Sequence, residues 1–330
     1  MKPFSALALV SVVLLAACVP PVARGTPPPA GRPEAISLLG QPLYSPDLPL
    51  EQRQRLERDL AEAREAYERD PDDADALIWY GRRTAYLGRY REAIDIFTEG
   101  IKRHPRDARM YRHRGHRWIT IRRFDRATVD LERAAWLTRG RPDQVEPDGI
   151  PNARNTPLTT LQGNIWYHLG LAYYLQGDYG RSARAFRASL ALARNDDSVV
   201  SASDWLYMAL RRMGRTDEAR AVLDPIRGEM DVVENAAYHR RLLMYKGLLP
   251  PDSLLDASGR SAVDVATQGY GVGNWYLYNG HRDQAEEIFW RLTSAENWAP
   301  FGYIAAEADL RRIARGAART QRRRDPLSPL

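Results

Sequence analysis

The chain repeats itself. Gly81 and Gly115 stand 34 residues apart, as do Ala93 and Ala127 and, ten residues ahead of each glycine, Pro71 and Pro105. One offset shared by three residue types marks a recurring unit, and a unit of this size cannot bury its own apolar face without stacking on its neighbours. In the first copy Leu77, Tyr80, Gly81 and Thr84 fall on one helical face, Gly88 supplies a turn, and Ala93 and Phe97 open a second face. The unit is therefore a helical hairpin, with Gly81 and Ala93 small because its two helices cross closely there. A second copy sets Tyr111, Gly115, Trp118, Phe124, Ala127 and Leu131 in the same order.

The third copy is the clearest. Trp166-x2-Leu169-Gly170-x2-Tyr173, followed by Gly177-Asp178-Tyr179 and Phe186, resembles the tetratricopeptide repeat almost letter for letter, with Ser182 where that family prefers Ala. A fourth copy, near residues 200–233, keeps Leu206, Leu210, Gly214, Ala219 and Leu223 but has Tyr207 where a small residue is expected. A fifth has Gly273, Tyr276, Gly280, Ala285 and Phe289. No stretch alternates with period two long enough to form a sheet. The expected fold is all-α: a right-handed helical-repeat solenoid of about five hairpins over residues 50–314. Residues 56–69 read as an N-terminal capping helix and 301–313 as one closing helix.

Two segments break the period. Residues 142–162, with Pro142, Pro147, Asp148-Gly149, Pro151, Asn152, Asn155 and Pro157, carry turn chemistry and read as a loop insertion. Residues 234–265 contain a helical pattern over 235–247 and then Pro250-Pro251, and read as an eroded repeat. Beyond it, Gly269, Gly271 and Gly273 alternate. A phosphate-binding glycine loop follows a strand; none precedes this one, and close helix packing is the better reading.

The single cysteine excludes a disulfide within one chain and any cysteine-rich metal site. It falls at Cys18, after Lys2 and an apolar run over residues 4–17 that is short for a membrane-spanning helix and suits a signal peptide. Leu15-Ala16-Ala17-Cys18 resembles the lipobox of bacterial lipoproteins. The resemblance implies removal of a signal peptide, residues 1–17, a lipid thioether on Cys18 and acylation of the new amino terminus, which together make a lasting membrane anchor. Val19 in place of Asp then implies the outer membrane, facing the periplasm. Proline-rich residues 18–49 read as an extended tether, and 315–330 as a basic disordered tail.

Basic residues exceed acidic ones, giving a formal net charge of +6, and all the basic residues but Lys2, Lys102 and Lys246 are arginine. The acidic residues are interspersed, as on a solvated surface. With the signal sequence placing the body outside the cytoplasm, nucleic acid is not an expected partner. In solenoids of the resembling family the first helix of each hairpin lines the concave face. That resemblance marks Arg82, Tyr86, Arg109, Arg112, His116, Asn164, Tyr167, Tyr174, Arg211 and Asn274 as partner-binding candidates. Arginine forks and tyrosine rings suit another envelope protein or peptide, an acidic one above all. The Lys/Asn set with which some relatives clamp a terminal carboxylate is missing. A second reading places a small-molecule or glycan pocket beneath the 142–162 loop, walled by tyrosines of copies three and five. No nucleophile elbow, phosphate loop or zinc-protease motif occurs, so neither an enzyme nor a cofactor is expected. His113-x2-His116 is flanked by Arg112, Arg114 and Arg117, which repel a metal cation.

Overall fold

A computed structural model describes residues 31–324, the last seven by backbone alone. The signal peptide and Cys18 lie outside the described residues. The chain divides into two units, 1–32 and 33–330, and the second holds every described strand and helix.

That unit opens with a short antiparallel hairpin, β1 (Ala35–Ile36) and β2 (Pro42–Leu43), in which Ala35 faces Leu43. The helices come next: α1 (Leu50–Arg69), α2 (Ala74–Tyr86), α3 (Tyr90–Arg103), α4 (Ala108–Thr120) and α5 (Phe124–Thr138). Beyond a long loop lie α6 (Leu161–Gln176), α7 (Tyr179–Ala191), α8 (Asp196–Arg212) and α9 (Thr216–Val222). The last are α10 (Ala236–Tyr245), α11 (Asp252–Leu255), α12 (Ala262–Tyr278), α13 (Arg282–Thr293) and α14 (Phe301–Arg324). Five pairs pack as hairpins: α2/α3, α4/α5, α6/α7, α8/α9 and α12/α13. Each of the first three rests on the next, α1 covers α2, α10 sits between α8 and α12, and α14 packs on α12, α13 and α6. The architecture is an all-α helical-repeat solenoid.

The repeat residues explain the hairpins. A Cβ added at Gly81 would lie 2.6 Å from the Phe97 ring, and one at Gly170 would lie 2.9 Å from Phe186, so only glycine admits these crossings. Ala93, Ala127 and Ala285 face them from the second helices and are fully buried. Ser182 keeps its place in copy three because its hydroxyl donates to the Gly170 carbonyl at 2.9 Å. In copy four Tyr207 fits because α9 is short: the ring stacks on Tyr245 of α10, centroids 4.4 Å apart. The helix starts are capped by Asp73, Asp107, Thr160 and Asn195, each accepting a backbone N–H of its own first turn. Asp197 instead accepts from Val233, Glu234 and Asn235 N–H groups and so fixes the approach to α10. The alternating glycines lie inside α12, where Leu292, Arg241 and Phe289 press against them.

Two boundaries move. Residues 33–49 are part of the folded body, not tether. Glu34 accepts the Arg91 N–H at 2.8 Å, the Trp298 indole donates to the Tyr44 carbonyl at 2.6 Å, and the Ser37 side chain accepts the Leu39 and Gln41 N–H groups across the turn. A ladder of two residues per strand tolerates Pro42, which has no N–H to give. The closing helix does not stop near Ile313 but runs to Arg324, into the segment read as a disordered tail. Alanine and arginine are strong helix formers, and one glycine, Gly316, costs only about 1 kcal/mol. Among the described residues no helix is long and apolar enough to cross a membrane.

Candidate functional site

The inner side of the solenoid is built from the first helices, α2, α4, α6, α8 and α12, each touching the next. From copy three onward the chain itself fills it. Tyr174 is fully buried; the Tyr270 hydroxyl lies 2.9 Å from both its hydroxyl and the Asp309 carboxylate of α14. Asn274 is fully buried and accepts from Arg212 at 3.0 Å. Tyr167 shares its hydroxyl with Tyr238 of α10 and with the Trp205 indole, each at 2.9 Å. Arg211 donates to Tyr207 and Asn279 and lies 4.3 Å over the Tyr278 ring, while Asn164 donates to Thr159. The expectation of an open face does not hold for Tyr174 and Asn274, because α14 docks where a partner would lie. The second reading loses its tyrosine wall for the same reason: those rings are core.

Copies one and two differ. There Arg82 and Tyr86 of α2 meet Arg112 and His116 of α4, together with His113, Arg117 and Glu146, around a cavity of about 130 Å³. Arg112 is buried, pairs with Glu146 at 2.9 Å and donates to His113 Nδ1 at 3.0 Å; its Nε has no partner. Arg82, also buried, lies 4.4 Å over the Trp79 ring and donates to the Tyr86 hydroxyl and the Pro147 carbonyl. Arg117 donates to His116 Nδ1 at 2.6 Å and sits 5.7 Å from the Tyr90 ring centre. These contacts within the chain are why Arg82 and Arg112 are more buried than the sequence implies.

The electrostatics follow from that crowding. Burial lowers the Arg117 pKa to about 10. His113 is held well below its ordinary value by burial and then by Arg112, Arg82 and Arg117; His116 by burial, Arg117 and His168. His168, whose ring centre is 4.4 Å from that of His116, is lowered by burial and Arg112. All three imidazoles are therefore neutral at pH 7, and the acceptor Nδ1 of His113 and His116 leaves the ring proton on Nε2. Among the described residues no group of three His, Cys, Asp or Glu is placed to hold a metal.

The 142–162 loop roofs this pocket. Val145 bridges Thr160, Glu146 N–H donates to the Thr159 carbonyl, and Asp143 accepts the Gln144 and Gln162 N–H groups. Arg82 holds the Pro147 carbonyl and Arg83 the Gly149 carbonyl. A Cβ at Gly149 would collide with the Tyr86 hydroxyl, so the Asp148-Gly149 turn needs glycine for close approach. The loop tip is tied elsewhere: Arg154 pairs with Asp231 and Asn152 donates to Glu234. Beside the pocket lies a recess of about 190 Å³, sharing Arg82, His113 and Glu146 with it, and next to that a third of about 650 Å³. The second and third share Arg109, which is pinned between Asp107 and Asp75. Sequence reasoning missed Glu146 and Arg117. Glu146 lay in an aperiodic loop, and Arg117 entered only as a cation that repels metals. A cleft of about 720 Å³ where α5, α6 and α7 meet, between Trp136, Trp166 and Arg184, was also missed; Trp136 there is an exposed aromatic.

Fold and site together define a helical-repeat solenoid with a loop-roofed basic pocket on its inner face. Residues 163–196 match the tetratricopeptide repeat model, and that segment is a tetratricopeptide repeat. No curated protein matches the chain. Solved structures similar to it include a tetratricopeptide repeat protein from Parabacteroides merdae, 14% identical with a TM-score of 0.46, covering 78% of this chain and 99% of that one. Pseudomonas aeruginosa pilF is 17% identical, TM-score 0.42, covering 78% and 92%. YrrB, described as a TPR protein with an unusual peptide-binding site, is 16% identical, TM-score 0.40, covering 77% and 97%.

Proposed function

We propose that the chain is a lipid-anchored, extracytoplasmic tetratricopeptide-repeat scaffold that captures an extended segment of another envelope protein, without catalysis of its own. The observation that carries this reading is the line of three recesses along α2, α4 and the start of α6. Neighbouring recesses share side chains, and their linings combine Arg82, Arg109, Arg112 and Arg117 with apolar Ile78, Trp79 and Leu161. An extended peptide can set successive side chains into successive recesses, and arginine forks favour an acidic one. Anchoring rests on the resemblance of residues 15–18 to a lipobox. A whole small molecule or glycan is the weaker reading: the two recesses beneath the loop, 130 and 190 Å³, fall below the roughly 300 Å³ at which small-molecule sites begin, and the 650 Å³ recess at the base of the loop, though large enough, has no tyrosine in its lining.

Cross-linking from native membranes tests the scaffold. The wild type should capture a defined partner, and Arg109→Glu, which reverses charge at a half-exposed position shared by two recesses, should lose it. Cys18→Ser should leave the protein out of the membrane fraction. Equal capture by Arg109→Glu would refute the inner face as the docking surface, and membrane retention of Cys18→Ser would refute the anchor.

A further inference from the structure

We infer that the 130 Å³ pocket between α2 and α4 is a receptor for one oxyanion, a carboxylate or phosphate group, held by Arg117 and Arg82 with Arg112 behind them. This rests on the scaffold reading and gives it the chemistry of one subsite.

Charge balance is the first argument. Three guanidinium groups face the pocket, and among the described residues a single carboxylate, Glu146, pairs with any of them, on Arg112. Arg82 and Arg117 make hydrogen bonds only to neutral groups: a tyrosine hydroxyl, a carbonyl and an imidazole. The next acid on the roof, Asp148, makes no ion pair with any of the three: burial and Glu234, with Glu146, raise its pKa, and Arg82 offsets only part of that. Nor do the three histidines add acceptor charge. Cations taken out of water without an opposing charge are costly, and the cost is offset when an anion arrives.

Geometry is the second. Arg112 Nε is buried with no partner, so a donor already stands idle at the back of the site. Tyr86, His116 and Arg117 are mostly but not fully buried, which leaves a narrow entrance. The cavity is too small for a whole ligand and right for one terminal group whose remainder runs into the neighbouring 190 Å³ recess. Guanidinium forks match the paired oxygens of carboxylate and phosphate.

The test uses free anions, so it is independent of whether any protein partner exists. The protein is titrated with sodium acetate and, separately, sodium phosphate, at constant ionic strength set by chloride, while the histidine ring resonances are followed by NMR. The expected result is a saturable shift of the His113 and His116 signals with at least one anion. Arg117→Gln and Arg82→Gln should weaken it at least tenfold, Arg117→Lys should restore part of it, and Arg133→Gln, on α5 beside Trp136, should not change it. Saturation by acetate identifies a carboxylate as the occupant, and saturation by phosphate alone a phosphoryl group. A response that is absent with both anions, or undiminished in folded Arg117→Gln and Arg82→Gln, overturns the assignment. Circular dichroism of each variant separates loss of the site from loss of the fold.

Discussion

Arg122 holds φ at 65°, the left-handed conformation that Gly88, Gly177, Gly214 and Gly280 take at the same turn of the other hairpins. A side chain there costs roughly 1–2 kcal/mol. What keeps arginine in place is buried and distant: Nε and one terminal nitrogen donate to the two Glu307 oxygens at 3.0 Å, and the Trp298 carbonyl accepts at 2.9 Å. Breaking a buried pair by removing one partner costs about 3–5 kcal/mol, more than the strain it accompanies. Arg122→Gly therefore restores the repeat's usual turn residue and still destabilises, by a net of about 1–4 kcal/mol. Urea unfolding checks this, and a variant as stable as the wild type would show the ion pair to be idle. The repeat glycines and alanines were legible in the sequence because each answers to a neighbour within its own hairpin. Arg122 was not, because its reason lies 185 residues downstream, in a helix that the repeat pattern does not cover.

At the scale of elements, α14 shows the same limit more fully. Nothing around Glu307 and Asp309 in the sequence sets them apart from the other charges of an Ala/Arg-rich helix, yet both are fully buried. Two positions apart on an α-helix, side chains point to nearly opposite sides. Glu307 thus reaches Arg122 and the Leu38 N–H, while Asp309 reaches Arg212 at 2.9 Å, Arg312 at 2.8 Å and the Tyr270 hydroxyl. Burial opposes the charge on Asp309, but Arg212 and Arg312 overcome it and hold the carboxyl at about 2. The helix is clamped on one side to the second hairpin and the amino-terminal β-hairpin, and on the other to α8 and α12. Its start was readable from apolar spacing; its clamping depends on pairings no local pattern encodes. The β1–β2 hairpin was hidden likewise, its prolines pointing to a tether while Glu34 and Tyr44 find partners far along the chain. Asp309→Ala leaves Arg212 buried without its counter-ion and is expected to cost about 3–5 kcal/mol. Amide exchange should show α14 losing protection first. Equal loss in α2 and α3, remote from the substitution, would mean that α14 is no separate unit.

For the whole molecule, the consequence of a solenoid whose inner side is filled by its own chain is that ionisable groups end up inside it. His113, His116 and His168 lie on α4 and α6, faced by Arg112 and Arg117 of α4, Arg82 of α2, Glu146 of the loop and, from α14, the neutral ring of Phe301. Each has a folded pKa well below 6.5, through burial first and the arginines second. Between that value and 6.5 the unfolded chain binds the proton and the folded chain refuses it. The stability these groups contribute is thus complete above about pH 6.5 and is lost as pH falls, by about 1.4 kcal/mol per pH unit for each histidine that stays neutral. Asp204, which burial raises to about 7 against the pull of Arg241, works in the opposite sense, because the folded state then takes up a proton that the unfolded one lacks. Glu34 and Asp148, which burial also raises, act in the same sense as Asp204 but by smaller shifts, so between pH 7 and 5.5 the three histidines set the sign of the net slope. Asp309, at about 2, titrates below this window. Urea midpoints at constant ionic strength should therefore drop between pH 7 and 5.5, and His168→Gln, which removes one of the three, should make the drop shallower. A midpoint that holds steady or rises over that interval would mean that the three imidazoles find room to charge inside the fold, and that the pocket lined by His113 and His116 is wetter than its packing implies.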